Sequence, residues 1–237
     1  MPELLHSSAA RAKEQLKRLP LALIQPLEEL TAMMVDAWFF RDVNTVSARS
    51  NHEANNKLVV FSGTATKPSI LMPLLLDAQR KCIFDVVAYP DRMPIRPRKL
   101  DEVTKWGNAK VRELKSTGKK VATFGYSMGG VIAHAVGEET HSPSLSLFTS
   151  AYDGDSFVGR CLERLRGSPL PTVTIPPQGR AIIPEYSLLA QGRDFGNSDD
   201  KVSVACGVDT HLGINHRKTR DLVQKLLEEI FKSQGNE

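Results

Sequence analysis

The 237-residue chain contains no apolar run approaching the roughly 20 residues that span a bilayer, so no integral membrane segment is expected. It also lacks the continuous apolar core of a secretory leader, because Arg11, Lys13, Glu14, Lys17 and Arg18 interrupt the N-terminal stretch. Cytoplasmic action is the default expectation; export without such a leader stays open. Cysteine is scarce. Cys82, Cys161 and Cys206 are odd in number and show neither CxxC nor metal-like spacing, which reads as reduced thiols. No GxxxxGK[ST] loop occurs, and no GxGxxG follows the first strands, which disfavours a nucleotide enzyme. No His/Cys/Asp cluster has zinc spacing. There is no dense Lys/Arg tract either: the net charge of +4 is spread along the chain and gives no reason to expect nucleic acid as a partner.

What is present suits an ordinary globular protein. Hydrophobic residues make up 41% and charged residues 24%, enough apolar side chains for one sizeable core. Residues 1–40 carry Leu16, Leu19, Leu23, Leu27, Leu30 and Met34 at helical spacing, interrupted by Pro20 and Pro26. This segment reads as a helical pair packing on the domain, with a membrane-surface or partner-binding arm as the alternative. The remainder, residues 41–237, forms the main domain.

Along that domain, short β-rich runs alternate with helical patterns. A possible edge strand lies at Asp42 to Ser47. Lys57–Phe61 and Cys82–Tyr89 read as strands, separated by a helical pattern over residues 70–81. A second helix runs from about Leu100 to Ser116 and ends at Gly118. Further strands are expected at Leu145–Ser150, Tyr186–Ala190 and Lys201–Cys206, before an amphipathic helix with Leu222, Val223, Leu226, Leu227, Ile230 and Phe231. Residues 152–180 are rich in Gly, Pro and Arg and read as a short excursion from the sheet. The alternation predicts an α/β fold: a mostly parallel sheet flanked by helices. Ligands of such sheets bind beyond the carboxyl ends of the strands.

One stretch stands out. Lys119–Phe124 is β-rich, Gly125-Tyr126-Ser127-Met128-Gly129 turns sharply, and a segment with Ala133, Ala135 and Gly137 follows. Two glycines give room on a tight strand-to-helix turn, where a serine can stand clear of the backbone beside the N–H groups of a helix start.

Gly125-Tyr126-Ser127-Met128-Gly129-Gly130 resembles the nucleophile elbow of the α/β-hydrolase superfamily, and the resemblance covers roughly residues 40–235. It implies an α/β-hydrolase-like domain with an N-terminal helical extension and a lid at about 152–180. It also implies Ser127 as nucleophile and, after the last strand, His211 as its base, with His216 as the fallback. The triad acid follows the penultimate strand in most members, which points to Asp194; Asp199, Asp200 and Asp153 are alternatives. The oxyanion donors map to the N–H of Met128 and to Gly63 or Thr64 in the loop after Phe61. Here the sequence departs from the family, because Ser62 takes the place of a histidine common there. The implied activity is cleavage of an ester or thioester in a small-molecule acyl substrate, without metal or organic cofactor. Acyl transfer by the same residues and a non-catalytic binding role remain as alternatives; a protein partner is open. Arg92, Arg96, Arg98 and Lys99 crowd the loop after Tyr89, where a solvated basic loop outweighs an anion-attracting rim.

Overall fold

The computed structural model describes residues 54–63, 66–79, 82–91, 93, 97–148, 175–184, 201–205, 214 and 216–234. Its elements are β1 (Asn56–Phe61), a 3-10 turn (Pro68–Leu71), α1 (Met72–Gln79), β2 (Asp85–Ala88), α2 (Pro97–Ser116), β3 (Lys120–Tyr126), α3 (Met128–Glu139), β4 (Ser144–Leu147), β5 (Gly179–Pro184), β6 (Val202–Ala205) and α4 (Arg217–Ser233). Among the described residues the strands form one six-stranded sheet in the order β2-β1-β3-β4-β5-β6, and every pair is parallel.

The alternation of side chains along a strand sorts the core into two layers. Leu58, Val60, Ala122, Phe124, Tyr126, Leu145 and Leu147 face α1 and α4, where Leu74, Leu75, Val223, Leu227 and Phe231 close one layer. Val59, Phe61 and Val121 face the other way, against Val103 and Val111 of α2 and Ile132, Ala133 and Val136 of α3. With both faces covered, β1 and β3 read as continuous apolar runs, as a parallel sheet requires. Gly118 ends α2 at φ +75°, with the N–H groups of Gly118 and Lys119 bonding back to Lys115 and Leu114, a left-handed stop that favours glycine.

Three boundaries differ from expectation. The run Cys82–Tyr89 pairs with the sheet only over Asp85–Ala88; Cys82 and Phe84 are buried in the core without being strand. β4 stops at Leu147 because Phe148 adopts φ +50°, which turns the backbone out of the sheet. β5 starts at Gly179, at the end of the range read as an excursion, and it is the fifth strand of the sheet. The strand expected at Tyr186–Ala190 lies outside the described residues, as do the N-terminal helical pair and the Asp42–Ser47 strand. Among the described residues no helix is long and apolar enough to cross a membrane.

Candidate active site

Ser127 sits between the end of β3 and the first residue of α3, with φ 53° and ψ −123°. A non-glycine residue held there costs on the order of 1–3 kcal/mol, so the surroundings must over-determine it. They do. The Ser127 N–H donates to the Leu147 carbonyl of β4 (2.9 Å), and its own carbonyl accepts from the Gly130 N–H (2.9 Å). A Cβ on Gly125 would lie 2.0 Å from the Gly129 carbonyl oxygen, and one on Gly129 would lie 2.3 Å from the carbonyl oxygens of Phe61 and Ser62. The elbow therefore closes only with glycine at both places. The Ser127 side chain makes no capping bond to α3 although it occupies the cap position. The residue is buried, under cover and not on an open surface.

The loop after β1 reaches the same place. A Cβ on Gly63 would be 3.0 Å from the Tyr126 ring and 3.3 Å from Ser127 Cβ, so the Gly63 backbone lies directly against the elbow. This loop is tied by its own side chains. Ser62 Oγ donates to the Thr66 carbonyl (2.7 Å), while the Thr66 N–H (3.0 Å) and Oγ1 (2.7 Å) both donate to the Gly63 carbonyl. The Met93 N–H adds a bond to the Thr66 carbonyl (3.2 Å). Both hydroxyls are buried. Thr66 and Met93 did not emerge from the sequence, since a hydroxyl four residues along a loop leaves no periodic trace.

The histidines separate clearly. His134, two turns along α3, is buried with Nδ1 2.8 Å from Ser144 Oγ, and burial pushes its pKa down to about 4. His141 follows α3 and has φ 49°; its carbonyl accepts from Lys115 Nζ (3.0 Å). His216 caps α4, its Nδ1 accepting from the Lys218 N–H (3.3 Å), so the fallback base has a structural task. His6, His52 and His211 lie outside the described residues. So do Thr64 and the four candidate acids Asp194, Asp153, Asp199 and Asp200. The structure thus brings together Ser127, Met128 and Gly63 from the expected set. Of the basic loop, Arg98 and Lys99 belong to the first turn of α2, and Arg92 and Arg96 fall outside the described residues. Among the described residues no group of three or more His, Cys, Asp or Glu side chains could hold a metal ion.

No protein-family model and no curated protein matches the chain. Solved structures do. A lipase-esterase related protein from Clostridium acetobutylicum aligns over 76% of this chain and 96% of its own, at 14% identity and a TM-score of 0.55. An esterase from Pyrobaculum calidifontis aligns over 77% and 78%, at 14% identity and TM-score 0.56. The NocB thioesterase domain, in covalent complex with a fluorophosphonate nocardicin G analog, aligns over 73% and 97%, at 13% identity and TM-score 0.51. At such identities the likeness is one of fold.

Proposed function

From the α/β-hydrolase fold of this chain, we propose that it is a serine hydrolase that cleaves a carboxylic ester or thioester through an acyl-enzyme. The observation that carries this reading is the backbone of Ser127: strained, flanked by two glycines that admit no Cβ, and in contact with the Gly63 loop. Strain of that kind persists where it aims a side chain.

The six described strands are parallel, so the segments that follow β5 and β6 start from the carboxyl end of the sheet, the end at which Ser127 follows β3. His211 lies in the segment after β6, and Asp194 in the one between β5 and β6. In this reading Ser127 Oγ attacks the acyl carbon while His211 takes the hydroxyl proton, and Asp194 holds the imidazole's tautomer and stabilises its charged form. The carbonyl electrons move onto oxygen, met by the Met128 N–H with Gly63 or Thr64. Collapse of the tetrahedral species expels the alkoxide or thiolate, which takes the proton from His211. Water, deprotonated by His211, then attacks the acyl-enzyme; collapse of the second tetrahedral species releases the carboxylic acid, and Ser127 Oγ takes the proton back from His211. Neither metal nor organic cofactor enters the sequence of steps. Acyl transfer would differ only in the second nucleophile.

The test is labelling with a fluorophosphonate probe, which reacts covalently with an activated serine. Wild type should label, and Ser127→Ala and His211→Ala should not. A folded wild type that stays unlabelled would sink the reading.

A further inference from the structure

We infer that Ser62 and Thr66 are positioning residues that preorganise the oxyanion loop, an assignment that rests on the hydrolase reading above. The two hydroxyls close a small ring. Ser62 Oγ–H binds the Thr66 carbonyl at 2.7 Å, and Thr66 returns two bonds to the Gly63 carbonyl, from its N–H at 3.0 Å and from Oγ1 at 2.7 Å. A carbonyl oxygen has two lone pairs, and both of Gly63's are thereby engaged. Because the peptide is planar, holding the Gly63 carbonyl fixes the orientation of the loop backbone at Gly63, which lies against the elbow.

The ring is anchored on both flanks. The Met93 N–H, beyond β2, bonds the Thr66 carbonyl at 3.2 Å, and Gly63 lies against the Tyr126 ring and Ser127 Cβ. Ser62 is fully buried and Thr66 nearly so, which removes water as a competing partner for these bonds. Oxyanion stabilisation depends on donors that are already aimed before charge develops. Without a large side chain at position 62 to brace the loop, a pair of hydroxyls does the bracing from inside it. The consequence is kinetic: loosening the ring lowers transition-state stabilisation and leaves ground-state binding largely alone.

The experiment is steady-state hydrolysis of p-nitrophenyl butyrate by the full chain, with the active fraction fixed by fluorophosphonate titration. Thr66→Val keeps the shape and the backbone bond but deletes Oγ1; it should lower kcat by about tenfold with KM within about twofold of wild type. Thr66→Ser, which restores the hydroxyl, should recover most of that loss. Should Thr66→Val not fold, Ser62→Ala carries the same expectation, because it removes only the other hydroxyl bond. Unchanged kcat in the folded variants, or a Thr66→Ser enzyme as slow as Thr66→Val, overturns the assignment while Ser127-dependent hydrolysis persists. A wild type without Ser127-dependent hydrolysis overturns the hydrolase reading and this inference with it.

Discussion

The two ends of the sheet hold the same kinds of polar residue and treat them in opposite ways. At the amino end they are paired and sealed. Lys57 and Asp85 face each other across β1 and β2 as a buried ion pair, and His134 bonds Ser144 at the start of β4. Lys115 reaches the carbonyls of Thr140 and His141 beyond the end of α3, where a cation complements the helix dipole. His141, whose carbonyl Lys115 reaches, takes a left-handed angle (φ 49°) in the turn that leads to β4; Lys57, Asp85 and Ser144 do not. At the carboxyl end, Ser127 and Phe148 hold left-handed backbone angles and Gly125 and Gly129 admit no side chain. At the amino end side-chain bonds prevail; at the carboxyl end the backbone around Ser127 is what is fixed, by its own angles, by two glycines and by the Gly63 loop. Residue type alone does not separate a reactive serine or histidine from a structural one.

The widest separation should come from Gly125→Ala. Its Cβ would overlap the Gly129 carbonyl, an atom of the helix backbone that cannot swing aside. A cost above about 4 kcal/mol is expected, since clash with backbone in a packed core is among the few mechanisms that reach that range. Circular dichroism should find the variant unfolded or melting far below wild type. Ser127→Ala should do the reverse: hydrolysis falls by roughly 10³-fold or more, while the melting temperature stays close to wild type because Ala meets the same backbone angles. A Ser127→Ala protein that keeps its activity would erase the distinction between the two ends.

The amino end breaks differently. Asp85→Ala leaves the Lys57 ammonium buried beside no anion, which costs about 3–5 kcal/mol when one partner of a buried pair is removed. Each molecule still folded should hydrolyse at the wild-type rate. The double replacement Lys57→Met with Asp85→Leu should recover most of the stability, because Asp85 Oδ1 already has no hydrogen-bond partner among the described residues and loses nothing by departing. Urea melts with a parallel activity assay read both halves of this expectation. If Asp85→Ala slows turnover as much as it lowers stability, the ends are coupled and the contrast is too sharp.

Much of this layout is legible in the amino-acid sequence. β1 and β3 are continuous apolar runs bounded by turn residues, and α4 buries Val223, Leu226, Leu227, Ile230 and Phe231 at the spacing the sequence displays. The elbow was legible because its turn needs glycine at fixed offsets from Ser127. β5 was not: only Arg-Ala-Ile-Ile separates Gly179 from Pro184, and both flanking residues signal a turn when read locally. Its identity comes from pairing with β4 and β6, which no local window contains. Cys82–Phe84 misled in the other direction, since buried Cys82 and Phe84 on either side of exposed Ile83 look like strand whether or not they pair. The Ser62–Thr66 ring is invisible for a third reason, because hydroxyl bonds to carbonyls carry no hydrophobic signature. Of the expected site, Ser127, Met128 and Gly63 converge in space; His211, Asp194 and Thr64 rest on chain order alone.

The smallest expected effect tests the amino end by pH. His134 is neutral in the folded protein with a pKa of about 4, against 6.5 for the free side chain, and its Nε2 has no partner among the described residues. Between these values the unfolded chain binds a proton that the folded protein does not. Stability is therefore full above about pH 6.5, falls as the pH drops, and levels off below the folded pKa. The whole drop is about 3 kcal/mol, because 6.5 and 4 lie about two and a half apart on the pH scale, at 1.36 kcal/mol for each step of one. Carboxylates titrate near pH 4, so the comparison of wild type with His134→Gln reads this histidine over the interval from pH 6.5 to 5. Urea melts across it should show wild type losing stability and His134→Gln, whose amide can still meet Ser144, holding level. The rate per folded molecule should carry no trace of this titration, because His134 lies two turns of α3 away from Ser127 and is turned toward Ser144. A pH–rate profile that shifts in His134→Gln would place that histidine in the chemistry and dissolve the division between the two ends of the sheet.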